Sequence, residues 1–146
     1  MSVSEAADIA GIVTGALAVI IAMLALYVSR TTLQQQQKTL KQQTYLQLSD
    51  RWDQGYPMRR TINELSNQDI YFMLDFFDLV GYLVSKDLLD KEIVENHWGA
   101  TVKSLPEFRQ VKDIIVHFRD TEGHHEAWMG VDSLIEDLGG SSHPFR

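Results

Sequence analysis

The most prominent feature of the sequence is an uninterrupted apolar run over residues 9–28, which reads IAGIVTGALAVIIAMLALYV. Thr14 is its only clearly polar side chain. A helix rises 1.5 Å per residue, so twenty residues span about 30 Å, the thickness of the hydrocarbon core of a bilayer. Within lipid a single span must satisfy its backbone hydrogen bonds internally, and only a helix does so. The pattern predicts a transmembrane helix over residues 9–28.

The flanks of this run predict its orientation. Residues 1–8 carry two acids and no Lys or Arg, whereas residues 29–48 carry Arg30, Lys38 and Lys41 and no acid. The basic flank of a span stays in the cytoplasm. We therefore expect residues 1–8 to be extracytoplasmic and the rest of the chain after the span to be cytosolic, at the inner (cytoplasmic) membrane.

Two other interpretations compete with the membrane span. A cleaved signal peptide needs a basic start, a shorter apolar stretch and a small-residue cleavage site, and this N-terminus is acidic. A buried core helix would have to be covered on every side, for which this chain is short. Both are less consistent with the sequence than a retained span.

The polar pattern changes abruptly after the span. Residues 29–54 contain six glutamines between Gln34 and Gln43, and neither Pro nor Gly interrupts the chain before Gly55. Because Gln, Lys, Leu and Arg favour helix, the membrane helix is predicted to continue as a juxtamembrane helical stalk. A Gln-rich disordered linker is the alternative.

Five residues of this N-terminal half are candidates for an oligomer interface. Gly11 and Gly15 form a Gly-x-x-x-Gly pattern, which allows close helix packing in lipid but is also common by chance in membrane helices. Leu26, Leu33 and Leu40 are spaced by seven, a weak heptad that fits either a solvated stalk or a parallel coiled coil. We expect the protein to bind the membrane and itself, as a homo-oligomer.

Short helical periods fill residues 58–138. Pro57 ends the long helix, and apolar positions recur at helical spacing without any sustained period of two. We predict an all-α fold in which about four short helices form a small cytosolic bundle, followed by a flexible tail over residues 139–146. The predicted helices are a short one over 58–65, then Asp69–Ser85 behind a Ser66 capping box, Lys91–Lys103 capped by Asp90 with His97 and Trp98 inward, a helix to Arg119 behind Ser104–Glu107, and His125–Leu138.

Several runs in this region resemble a known family. They are Phe76–Val84, Leu88–Asp90, Ile93–Val94, Trp98–Gly99, Phe108–Arg119 and Trp128–Leu138. The chain is similar over roughly residues 10–138 to a family of short bacterial and viral proteins classed as a domain of unknown function. The resemblance implies one N-terminal transmembrane helix, a polar helical stretch and a compact helical domain, and it implies no activity.

Composition and charge exclude several functions. The 146 residues contain no cysteine, which rules out a disulfide scaffold, a zinc–thiolate site and a cysteine nucleophile. The net charge of −7 argues against nucleic acid as a partner, because phosphate binding needs a basic face.

The candidate chemistry is sparse. His117, Glu122, His124 and His125 could hold a metal, although exposed polar side chains at a turn are the simpler interpretation. Asp75 and Asp78 could form a paired-carboxylate site but fit the exposed strip of their helix better. No phosphate loop, nucleophile elbow or dinucleotide fingerprint is present. We predict neither an enzyme nor a cofactor.

The functional hypothesis is a membrane-anchored helical protein-interaction module, acting as scaffold, adaptor or regulatory subunit, whose cytosolic domain binds itself or another protein. The alternative is a small membrane effector whose spans assemble into a pore, which the lack of a polar stripe in the span disfavours.

Overall fold

The computed structural model describes residues 3–55, 64–121, 123–141 and 144–145, with the side chains of the first helix described at Gly15 and from Leu17 onward. Across these residues the protein is helical and contains no strand, which confirms the all-α prediction. The chain divides into two compact units, residues 1–40 and 41–146. The helices are α1 (Val3–Gly55), α2 (Asn67–Ser85), α3 (Lys91–Ser104), α4 (Arg109–Asp120) and α5 (Met129–Asp137), and a 3₁₀ turn at Leu105–Glu107 follows α3.

The first unit is one uninterrupted stretch of α1. Hydroxyl groups in its polar part donate back to helix carbonyls, Thr32 to Val28 at 2.8 Å and Thr39 to Gln35 at 3.0 Å, so these polar groups are satisfied within the helix. In the part of the chain that the structure describes, one helix, Leu17–Gly55, is long and apolar enough to cross a membrane, judged by length and composition.

The second unit begins inside α1. Leu48 and Trp52 are buried, and the ring of Trp52 lies 4.8 Å from that of Phe76 and 5.0 Å from that of Phe77, measured between centroids. We assigned residues 29–54 to a stalk, whereas the structure places the end of that range in the core of the domain. The reason is an apolar stripe at helical spacing that the surrounding glutamines and charges obscure.

Helix α2 is central to the second unit. Its start is the predicted capping box: the Ser66 hydroxyl accepts from the Asp69 backbone N–H, and the Asp69 carboxylate accepts from the Ser66 backbone N–H. Its buried side chains form the middle of the core and pack most extensively on α5. They are Ile70, Met73, Leu74, Phe76, Phe77 and Val80, together with Gly81.

Helix α3 begins at the predicted cap, where the Asp90 carboxylate accepts from the Glu92 backbone N–H at 3.0 Å. Trp98 is buried as expected, but the inward placement of His97 is wrong, since that side chain is exposed. Its Nδ1 lies 3.1 Å from the Tyr45 hydroxyl. The imidazole therefore joins the last part of α1 to α3 at the surface of the domain.

Helix α5 is shorter than predicted. It begins at Met129, because residues 125–128 form turns and Trp128 adopts a left-handed conformation with φ of 54°. Arg119 holds this turn: Nε and Nη2 donate to the Ala127 carbonyl at 2.9 and 2.7 Å. These two charge-assisted hydrogen bonds fasten the turn before α5 to the end of α4.

Two further predictions concern the short helix before α2 and the C-terminal segment. Residues 58–63 of the short helix predicted over 58–65 lie outside the described residues. Leu65, at the end of that range, is buried. In the C-terminal segment, predicted to be a flexible tail, Phe145 is only 4% exposed and belongs to the core cluster. A large aromatic ring gains more from burial than it loses in freedom, and this favours its packing.

Candidate interaction surfaces

The predicted oligomer interface lies on a side of α1 that the rest of its unit does not cover. Leu26 is 72% exposed, Leu33 57% and Leu40 51%. A Cβ added at Gly15 would meet nothing within 4 Å. Gly11 belongs to the backbone of α1, but its surroundings lie outside the described residues. In this single chain the four described positions are therefore accessible to lipid, water or a partner.

Two carboxylates of α2 hold the start of α5. Asp75 accepts from Trp128 Nε1 at 2.8 Å, and Asp78 accepts from the Gly130 backbone N–H at 2.7 Å. No side chain of α5 itself caps its N-terminus, so Asp78 acts as the cap from another helix, favoured by the helix dipole. Asp75 is exposed, as the sequence predicted, and Asp78 is half-buried, and both carboxylates join α2 to α5.

Helices α2 and α5 approach each other through glycines. A Cβ at Gly81 would collide with the carbonyl of Gly130, and a Cβ at Gly130 would collide with the backbone of Asp78. The absence of side chains at these two positions allows the backbones to touch, and it leaves a shallow groove above the crossing.

This groove, which we call the α2–α5 notch, has a lining of mixed polarity, in which Tyr82 and Met129 stand beside Asp78, Ser85, Glu126 and Ser133. Its volume is about 260 Å³, and Tyr82 and Met129 line it on opposite helices. These two side chains are 55% and 53% exposed. Sequence reasoning did not identify the notch, although an isolated glycine within each of two helical patterns was the available signal.

A larger cleft adjoins the notch, and Met129 and Ser133 line both. Its volume is about 770 Å³, and α4, α5 and Phe145 line it. The charged groups in its lining are of both signs, and Arg119 is already engaged there by Asp132, 3.0 Å from Nη1 to Oδ2. The cleft thus presents neither a uniform charge nor a free guanidinium to a ligand.

The suggested metal site is not assembled in the residues that the structure describes, where no group of three His, Cys, Asp or Glu side chains could hold an ion. The ring of His124 instead stacks on Phe118, with centroids 6.0 Å apart. Glu122 lies outside the described residues.

One carboxyl group on the domain surface has a clearly shifted pKa. A hydrogen bond and the positive charge of Lys103, whose Nζ lies 2.9 Å from Glu95 Oε1, hold the pKa of Glu95 below its ordinary value. Because both side chains are exposed, this is a surface ion pair, and it does not create an acid–base site.

Comparison with known proteins agrees with the sequence resemblance. Residues 12–138 match the family described as "Domain of unknown function (DUF4760)". No curated protein and no solved structure shows significant similarity to the chain. The family match includes α1 from residue 12 onward and every helix of the second unit. On this coverage, the chain belongs to the DUF4760 family.

Proposed function

We propose that this protein is a single-pass membrane anchor that carries a cytosolic helical interaction domain and associates with itself through its N-terminal half. The observation that carries the proposal is the exposure of α1. Over residues 17–30 every described side chain is exposed, and most of them are apolar. Such a surface is costly in water but not in lipid, so a bilayer accounts for it.

The stalk supports self-association for a different reason. An isolated helix is marginal in water, and Leu33 and Leu40 recur one heptad apart on a segment that is otherwise polar. Parallel copies in one membrane would bring equivalent leucines together and supply the missing packing. The domain that follows would then be presented to partners as a cluster, which suits a scaffold, an adaptor or a regulatory subunit.

Orientation is the first testable consequence. We expect a reporter that is active only in the cytosol to function when fused after Arg146, because all the basic residues near the span follow it. The same reporter fused before Met1 should be silent. Activity of a periplasm-only reporter at Arg146 would show that the proposed orientation is wrong.

Self-association is the second consequence. In the full-length protein in mild detergent, the double variant Leu33→Gln/Leu40→Gln should raise the dissociation constant of the oligomer at least tenfold, about 1.4 kcal/mol, because polar side chains would replace the heptad contacts. Gly11→Leu/Gly15→Leu should act in the same direction by keeping the spans apart. Analytical ultracentrifugation over a range of protein-to-detergent ratios measures both effects.

Leu46→Gln is the matched control. Leu46 lies on the same helix, is 58% exposed and is out of the seven-residue register, so the oligomer should be unaffected. A wild-type protein that is monomeric at every ratio, or a control that weakens assembly as much as the heptad variant, would contradict the proposal.

A further inference from the structure

The α2–α5 notch has the dimensions of a pocket for one side chain. Its volume of about 260 Å³ is below that of most small-molecule sites but can hold a single large apolar group. The floor is backbone at Gly81 and Gly130, so it is rigid, and the rim offers the exposed Tyr82 and Met129. Interfaces concentrate binding energy in such pockets, which take one anchor residue from the partner.

The charged side chains that line the notch are acidic. Asp78 and Glu126 line it, and its described lining includes no Lys or Arg. Further along α5, Glu136 and Asp137 are exposed. Residues 61–146 as a whole contain sixteen acidic and seven basic side chains, so the field of the domain attracts cations to this surface.

The exposed ring of Tyr82 lies beside a cation from the same chain. The ammonium group of Lys86 lies 5.8 Å from the centre of its ring. This is cation–π geometry, and a lysine or arginine from a partner could make the same contact on the exposed ring.

We propose that the α2–α5 notch binds a basic segment of another membrane protein, with one large apolar side chain in the notch and flanking Lys or Arg residues opposite the acids. The inference rests on the proposed cytosolic location of the domain. On that side, the segments next to membrane spans are enriched in Lys and Arg, so the acidic domain lies among partners of complementary charge. Anionic lipid is a poor occupant, because acidic side chains are repelled by it.

The test uses the full-length protein in nanodiscs of zwitterionic lipid. The probe is a fluorescein-labelled peptide with a single phenylalanine flanked by lysines, and anisotropy measures binding, with empty nanodiscs as the blank. Two counter-probes replace the phenylalanine by serine or the lysines by glutamate. We expect saturable binding of the first peptide, weakened by salt, and at least tenfold weaker binding of each counter-probe.

Variants then locate the site. Tyr82→Ser/Met129→Ser should weaken binding at least tenfold, and the charge reversal Glu126→Lys, at an exposed position, should weaken it severalfold and reduce the salt dependence. Leu46→Ser removes an equally exposed apolar side chain from α1 and should have no effect. Thermal unfolding followed by circular dichroism checks that each variant is folded.

Several outcomes would overturn the inference. They are equal binding of probe and counter-probes, unchanged binding by both sets of notch variants, or an equal loss in Leu46→Ser. The peptide could bind nanodiscs that hold one copy of the protein but not nanodiscs that hold several copies. That result would show that a second copy of this chain occupies the notch instead. The reporter at Arg146 and the oligomeric state in detergent test the proposed function, whereas peptide binding to the nanodiscs tests this inference. Failure of one is therefore distinguishable from failure of the other.

Discussion

Removal of residues 1–40 should leave a folded domain, whereas removal of residues 1–54 should unfold it. The shorter deletion ends where the second unit begins, and the longer one removes Leu48 and Trp52 from its core. Loss of one buried Leu costs about 2–5 kcal/mol and loss of one buried Trp about 3–5 kcal/mol. Together these costs match the whole stability of a typical small domain, about 5–15 kcal/mol.

The point variant Trp52→Ala in the fragment 41–146 isolates the largest part of this effect. Trp52 is 6% exposed and packs on both Phe76 and Phe77, so the variant should lose about 3–5 kcal/mol of unfolding free energy in urea titrations. Leu46→Ala, at an exposed position of the same helix, should change it by less than about 0.5 kcal/mol. A fragment 55–146 as stable as the fragment 41–146 would refute the assignment of α1 to the core.

The second large effect is expected from a single methyl group. Gly81→Ala places a Cβ against the carbonyl of Gly130, and neither group can move aside by changing a rotamer. Helices α2 and α5 must separate, which also strains the bond from the Gly130 N–H to Asp78. We expect a loss of about 3 kcal/mol or more in the free energy of unfolding, beyond the gain of about 1 kcal/mol from better helix propensity.

Gly99→Ala is the matched control, since it makes the same change within α3. Its Cβ would lie 3.3 Å from Cγ of Glu95, whose exposed side chain can move. This variant should therefore be neutral or up to about 1 kcal/mol more stable. If Gly81→Ala melts at or above the wild-type temperature, the close approach of α2 and α5 does not hold.

The starts of α2 and α3 were predictable because they depend on neighbours in the sequence. The box-like start predicted at Ser104 does not form, since Ser104 ends α3 and α4 begins at Arg109 without a side-chain cap. The capping box at Ser66 and the cap at Asp90 each join residues two or three positions apart, and both form as predicted. The inward faces of α2 and of α4 follow from apolar spacing in the same way. The structure describes α1 up to Gly55, and the break predicted at Pro57 lies outside the described residues.

The start of α5 was not predictable by such reasoning. The periodicity of Trp128, Val131 and Leu134 continues through a turn that Arg119 holds from another helix. Similarly, nothing near Asp78 in the sequence indicates that its carboxylate caps a helix fifty-two residues further along the chain. Contacts of this kind are set by the packing of whole helices.

The sequence by itself determined the apolar span, the long helix that follows it, the all-α class and the caps of α2 and α3, because hydrophobic periodicity and capping act over one or two turns. Only the tertiary structure decided that the end of α1 belongs to the core, that glycines let α2 and α5 touch, and that Tyr82 and Met129 flank an acidic notch. The physical reason is that these features depend on the distance between backbones far apart in the chain. That distance follows from the combined packing of all the helices, which no local pattern encodes.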